Sequence, residues 1–212
     1  MKRKYSLNED YFKVINTPEK AYFLGFMYAD GCVQKDLKRF HLCISAIDIE
    51  ILKRLQKALN TDRPIRRILI RDKKRVRLDI YSKRLVKGLI RYGCVNKKTF
   101  VLKYPHILKK YDRHFIRGYL DGDGCIHVRT IRKKYSYLMA KLTSTKDLLR
   151  RIKRIVHNKN KLIKTKSKNI YSLYFYGNSK EFLNWCYKDT DLFLKRKWSI
   201  WQNYIKKEEL KK

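Results

Sequence analysis

Two carboxylates stand out by their setting. Asp30 closes the stretch FLGFMYADG, Phe23 to Gly31, and Asp123 closes IRGYLDGDG, Ile116 to Gly124, 93 residues further on. Each stretch reads as an amphipathic helix that ends in a carboxylate and is followed by a glycine. A helix C-terminus carries partial negative charge, so a carboxylate there is unfavourable by roughly 0.3–1 kcal/mol. Two of them brought together repel each other as well. A divalent cation between them turns that cost into a binding site. Carbonyls left free at the helix ends add oxygen donors, a set that suits Mg²⁺, or Mn²⁺ in its place.

Something must bring the two helix ends together. Small residues recur at matched spacing, Gly25 and Ala29 in the first stretch, Gly118 and Gly122 in the second. Glycine inside a helix costs roughly 1 kcal/mol against alanine. Small residues four apart on one face let two helix backbones approach closely. These four positions are therefore the expected helix–helix interface.

The elements around each helix repeat. Thr17, Pro18 and Glu19 start the first helix as N-cap, first-position proline and first-turn acid. It runs to Asp30, and Gly31 stops it. Period-two patterning then predicts strands over 32–35 and 39–45, a helix over 48–59, strands over 65–71 and 75–81, and a helix over 82–92. The second half follows the same order. Asp112 caps a helix to Asp123; strands span 125–132 and 135–143; a helix spans 145–157; strands span 161–165 and 170–176; a helix spans 179–187. A helical tail carries Trp198, Trp201 and Ile205 at helical spacing. The first hairpin of the second half is the longer, through 131–136. The predicted fold is α+β: two αββαββα halves, 1–106 and 107–212, related by a pseudo-twofold axis. They form a saddle of two antiparallel sheets on a central pair of helices.

Composition narrows the partner. The 212 residues carry 54 Lys+Arg against 19 Asp+Glu, a formal net charge of +35, yet 44% are hydrophobic. That is a folded, strongly basic chain whose self-repulsion a polyanion relieves. No apolar run is long enough to span a membrane, and the start, MKRKYSLNEDYF, has no apolar signal core, so an intracellular protein is expected. The five cysteines, Cys32, Cys43, Cys94, Cys125 and Cys186, form no C-x-x-C and are expected to be buried free thiols. The five histidines show no metal-ligand spacing and no nucleophile partner, and none is read as catalytic. Trp185, Trp198 and Trp201 are read as core.

FLGFMYADG and IRGYLDGDG resemble the two copies of the LAGLIDADG motif of homing endonucleases and their maturase relatives. The eighth-position Asp and ninth-position Gly match in both copies. Phe23-Leu24 and Ile116-Arg117 stand where the name has Leu-Ala, and Tyr28 stands where it has Asp. The duplicated order extends the resemblance over nearly the whole chain. A two-copy chain of this family is similar to a monomeric, saddle-shaped enzyme. The resemblance implies that Asp30 and Asp123 bind divalent metal and help a water attack a phosphodiester. It implies that Ala29 and Gly122 add backbone carbonyls, and that a lysine after each half's third helix serves each scissile phosphate. Those lysines are Lys98, before Lys97, and Lys197, before Lys195.

Period two also selects a polar sheet face for the major groove. In the first half it carries Gln34, Asp36, His41, Arg67, Arg71, Arg75, Arg77 and Asp79. In the second it carries His127, Arg129, Tyr137, Lys141, Thr143, Lys164 and Lys166. Lys73, Lys74, Lys133 and Lys134 are expected in loops against phosphates. Because the two faces differ, the expected target is a long, non-palindromic duplex. The function expected is a site-specific double-strand DNA endonuclease using Mg²⁺. The alternative is a maturase that binds host intron RNA without cutting. A non-enzymatic regulator lacks an added helix-turn-helix, and no protein-splicing domain is expected.

Overall fold

Thr17 sits in an extended conformation and accepts the Lys20 N–H at 3.2 Å, which starts α1 (Pro18–Asp30). From Ala21 to Tyr28 every residue of α1 is buried. A helix apolar all round is a core element, so α1 is a central helix and not the amphipathic one expected. The chain leaves it directly into a strand. The computed structural model describes residues 4–131 and 135–210.

In the first half β1 (Gly31–Val33), β2 (Arg39–Ser45), β3 (Arg66–Ile70) and β4 (Lys73–Tyr81) form one antiparallel sheet, ordered β1-β2-β4-β3. α2 (Ile49–Ala58) and α3 (Lys83–Arg91) bury Ile51, Leu52 and Leu55, and Leu85, Val86 and Leu89. The second half repeats this with α4 (Asp112–Asp123), β5 (Cys125–Ile131), β6 (Tyr135–Thr145), α5 (Lys146–Ile155), β7 (Ile163–Lys164), β8 (Ile170–Tyr174) and α6 (Ser179–Tyr187). Its sheet is ordered β5-β6-β8-β7. α7 (Lys195–Glu209) closes the described chain. The duplicated α+β saddle is therefore present.

The two halves meet along α1 and α4. A Cβ built on Gly25 would land on the Phe115 carbonyl and lie 2.9 Å from Tyr119 N. Its counterpart on Gly118 would land on the Tyr22 carbonyl and lie 3.0 Å from Phe26 N. Backbone thus meets backbone, and each glycine is reached by the carbonyl three residues before the other, as a pseudo-twofold axis requires. One turn on, a Cβ on Gly122 would collide with that of Ala29. Further ties cross the same boundary: Tyr22 Oη donates to Asp121 Oδ2 at 2.9 Å, Arg196 Nε to Asp48 at 3.0 Å, and Arg54 to Asp191 at 3.3 Å.

Several expectations need correction. Gly31 does stop α1, and both it and Gly124 leave their helices in extended backbone, φ −73° in each. They supply room: a Cβ there would lie 2.6 Å from Met27 O or 2.5 Å from Leu120 O. Asp112 is the first helical residue and not the cap; its carboxylate accepts the Tyr104 hydroxyl at 2.7 Å. Lys73 and Lys74 lie in β4, because the turn is the tight pair Arg71 (φ 48°) and Asp72 (φ 59°). Cys94 and Cys186 are buried thiols, whereas Cys125 is exposed and Cys32 and Cys43 are half-buried. The longer hairpin tip, with Lys133 and Lys134, lies outside the described residues. Among the described residues no helix is long and apolar enough to cross a membrane.

Gly25→Ala and Gly118→Ala should each destabilise the fold by about 1–3 kcal/mol, the usual cost of overpacking, although alanine is the better helix former. Urea unfolding measures it, and an unchanged midpoint would contradict the backbone-to-backbone crossing.

Candidate active site and nucleic-acid face

The crossing places the ends of α1 and α4 side by side. Asp30 Oδ2 comes within 3.2 Å of where a Gly122 side chain would begin. Two clefts flank the pair. One, about 250 Å³, is lined by Asp30, Gly122, Arg75 and Arg196; the other, about 310 Å³, by Asp123, Ala29, Lys98 and Thr143. Each cleft therefore combines the carboxylate of one half with the residue preceding the carboxylate in the other. A larger cleft of about 690 Å³ opens at the far end of α4, beside Tyr104 and Asp112, and contains none of these groups.

The lysines stand at the helix ends. Lys98 Nζ donates to the carbonyls of Ala29, at 3.3 Å, and Gly31. Lys197 Nζ donates to the carbonyls of Leu120 at 2.8 Å, Gly122 at 3.1 Å and Gly124 at 2.5 Å. The two ammonium groups thus stand on carbonyls at and just beyond the helix C-termini, where the helix dipole is negative. Lys97 and Lys195, the alternatives, are both exposed, and Lys97 adopts a left-handed φ of 53°. Lys197 is only 4% exposed, and burial pushes its ammonium down to about 8.

Electrostatics mark the carboxylates. Burial, then the charge of Asp123, raises the Asp30 carboxyl to about 6 against the pull of Lys197 and Lys98. Burial raises Asp123 too, opposed first by Lys98 and then by Lys197. Two acids held together this way need a counter-charge. The donors at hand are all oxygens: the two carboxylates and the carbonyls of Ala29 and Gly122. Those carbonyls already accept from lysine, and each has a second lone pair. Among the described residues no group of three His, Cys, Asp or Glu side chains forms a metal cage. One or two carboxylates completed by water and phosphate oxygens is how Mg²⁺ is commonly held, so the residues fit such a cation.

On the first sheet the paired residues His41↔Asp79, Cys43↔Arg77 and Ser45↔Arg75 share the face away from the core. Gln34 joins them, Nε2 lying 3.1 Å from His41 Nδ1. Asp79 is buried: Arg66 reaches it at 2.5 Å and Arg77 at 2.7 Å. Burial acts to raise its carboxyl, but the hydrogen bonds and charges of Arg77 and Arg66 together hold it below the usual range. On the second sheet Cys125↔Lys141, His127↔Met139 and Arg129↔Tyr137 share the corresponding face, with Thr143.

The outer strands depart from the expected register in the same way. Arg67 pairs with Val76, so it shares the core-side face, and Arg66 and Ile68 stand beside Arg77 and Arg75. Lys164 pairs with Tyr171 and so lies opposite to Thr143. Lys166 falls in the bend beyond β7, Arg71 in the β3–β4 turn, and Asp36 in the β1–β2 turn, where it accepts the Lys38 N–H at 3.0 Å. Edge strand β3 is exposed on both faces, Leu69 at 72%. Hydrophobic alternation cannot specify register where neither face is buried.

Sequence reasoning missed Arg117 and Asp121, both fully buried in α4. Arg117 donates to the carbonyls of Leu192 at 3.0 Å and Cys186 at 3.2 Å. Asp121 accepts from Tyr22, Tyr187 and the Leu194 N–H. Their signal was a charged pair four apart on a helix otherwise destined for the core.

No family model matches this chain, and no curated protein does. Solved structures do. The LAGLIDADG homing endonuclease I-GzeII, in complex with DNA target, matches with a TM-score of 0.62 at 14% identity, over 97% of this chain and 92% of its own. I-LtrWI, a LAGLIDADG homing endonuclease bound to target DNA, matches at 0.58 and 14% identity, over 93% and 88%. The LAGLIDADG meganuclease I-AabMI, bound to uncleaved DNA, matches at 0.56 and 17% identity, over 90% and 92%.

The raised Asp30 carboxyl has a consequence for stability. The folded, metal-free protein holds this proton up to about 6, whereas the unfolded chain releases it near 3.9. The native state therefore binds more protons between these values, and stability falls as pH rises through them. Asp30→Asn removes that loss. Its stability relative to the parent should grow by about 1–3 kcal/mol between pH 4 and pH 7 in chelator. Urea unfolding at both pH values reads the difference, and a constant or shrinking one would contradict the crowded-carboxylate picture.

Proposed function

We propose that this chain, which has the LAGLIDADG homing-endonuclease fold, is a site-specific double-strand DNA endonuclease dependent on Mg²⁺ or Mn²⁺. The observation that carries the proposal is the pair of carboxylates, Asp30 and Asp123, crowded at the joined ends of two helices between basic sheets. Asp30 and Asp123 would hold the cation, with the Ala29 and Gly122 carbonyls beside them. When bound, the cation supplies a Lewis acid that lowers the pKa of water and offsets charge building on the phosphodiester.

The chain's own residues do the rest. Each cleft orients one phosphodiester against one carboxylate, and the pseudo-twofold axis presents one cleft to each strand. Lys98 and Lys197 keep positive charge beside the helix ends, where it stabilises negative charge as it develops on the phosphate. Arg75 and Arg77, together with His127, Arg129 and Lys141, face outward on the sheets as groups able to meet base edges and phosphates. The two sheets differ residue by residue, which favours a non-palindromic site. Both carboxylates belong to one chain, which supports a monomer as the working unit.

A second reading, an RNA-binding maturase without nuclease activity, draws on exposed basic residues away from the reading face. Arg150, Arg151 and Arg154 of α5 are the example. Retention of both carboxylates favours the nuclease.

The test uses a duplex selected from a random library by binding to this chain, cloned into a supercoiled plasmid. With Mg²⁺ the parent should linearise it. Asp30→Asn and Asp123→Asn should each abolish linearisation, a loss of at least about 10³-fold, with duplex binding retained. Full double-strand cutting by either variant would overturn the assignment. Tight binding of structured RNA by a parent that never cuts would favour the maturase.

A further inference from the structure

We propose that Tyr28 and Asp121, which stand two residues before the two carboxylates, are positioning residues that tether the segments carrying Lys98 and Lys197. The effect on cleavage rests on the nuclease reading above; the tether rests on geometry alone.

Asp121 is fully buried. Its Oδ2 accepts the Leu194 N–H at 2.8 Å and the Tyr22 hydroxyl at 2.9 Å, and its Oδ1 accepts the Tyr187 hydroxyl at 2.5 Å. Leu194 immediately precedes α7, and its carbonyl accepts the N–H groups of Lys197 and Trp198, each at 3.0 Å. Fixing Leu194 therefore fixes the first turn of α7. A carboxylate at the head of a helix is also favoured by the helix dipole. Lys197, in that turn, returns to the carbonyls of Leu120 and Gly122, the two neighbours of Asp121. Carboxylate and ammonium thus each grip the other's segment, which closes a loop between α4 and α7.

The first half makes the same loop with reversed polarity. Tyr28 occupies the position equivalent to Asp121, and its hydroxyl donates to the Tyr92 carbonyl. Tyr92 directly follows α3, and the chain runs on through Gly93, at φ +93°, to Lys98. A Cβ on Gly93 would lie 2.6 Å from the Tyr28 hydroxyl, so the phenol is seated against this segment. Lys98 then returns to the carbonyls of Ala29 and Gly31. An acceptor suits the second half because the target is an N–H. A donor suits the first because the target is a carbonyl, which an ionised carboxylate could not serve. The unlike residues Tyr28 and Asp121 therefore perform one task.

The experiment follows each DNA strand separately with end labels. Tyr28→Phe should slow cutting of one strand and Asp121→Leu, which leaves no acceptor for the Leu194 N–H, that of the other, each by about 10- to 100-fold, the cost of a misplaced catalytic group. Nicked circles would accumulate in place of linear product. Tyr187→Phe removes a different partner of Asp121 and leaves the Leu194 contact, so it should keep the parent ratio of strand rates. A second measurement needs no cleavage: reductive methylation of the folded chain, read by mass spectrometry. Asp121→Leu should raise labelling of Lys197 and leave Lys98 unchanged, and Tyr28→Phe should do the converse. Equal slowing of both strands, or lysine labelling unchanged in both variants, would overturn the tether. A parent that cuts neither strand would sink the nuclease reading, and the labelling alone would then decide this one.

Discussion

The closest constraint in this molecule is the contact of two helix backbones at Gly25 and Gly118. Each glycine faces a main-chain carbonyl of the other helix, and a methyl group at either would sit on that carbonyl. Such a contact has no freedom to slide, because the next turn brings Ala29 against Gly122. The position of Asp30 relative to Asp123 is thereby set by backbone and not by side-chain rotamers. β1 and β5 leave the two helix ends almost at once, at Gly31 and Cys125. The crossing therefore also fixes where the two sheets stand with respect to the acids.

Charge is arranged around this contact in two layers. At the centre, burial makes both carboxylates reluctant to ionise, and the charge of Asp123 adds to this at Asp30. Next to them, the ammonium groups of Lys98 and Lys197 occupy helix-end carbonyls. This layer offsets the macrodipoles and partly counters the charge of the acids, whose carboxyls nonetheless stay raised. Beyond lies a surface that contributes to a net charge of +35, poised for a polyanion. The buried Asp121 and Tyr28 join the first two layers, because each spans from a motif helix to a lysine-bearing segment.

Much of this was legible in the residues, for identifiable reasons. Paired glycines at the same spacing, each set followed by the same strand and helix order, announce a duplicated helix crossing. Strands β2 and β4 alternate cleanly because one face is buried, so the placement of His41, Arg75 and Arg77 follows from period two. Arg67 and Lys164 did not follow, since the outer strands are wet on both sides and their register comes from pairing with β4 and β8. Nor did the burial of α1, whose tyrosines look polar until Tyr22 and Tyr28 find partners on other segments. Asp121 and Arg117 were invisible for the same reason: what satisfies them lies far off in sequence, in Tyr22 and in the segment from Cys186 to Leu194. Gly31 was legible as a helix stop, but the room its missing side chain leaves against Met27 was not.

The most direct test of the account is a double-mutant cycle between Asp30 and Asp123, read as unfolding free energy with chelator and with Mg²⁺. If the crossing presses two charges together, each Asn substitution stabilises the metal-free chain, and the pair together gains less than the sum. Mg²⁺ should then stabilise the parent and leave the double variant unmoved. Additive substitutions and a parent indifferent to Mg²⁺ would contradict a cation site at the joined helix ends.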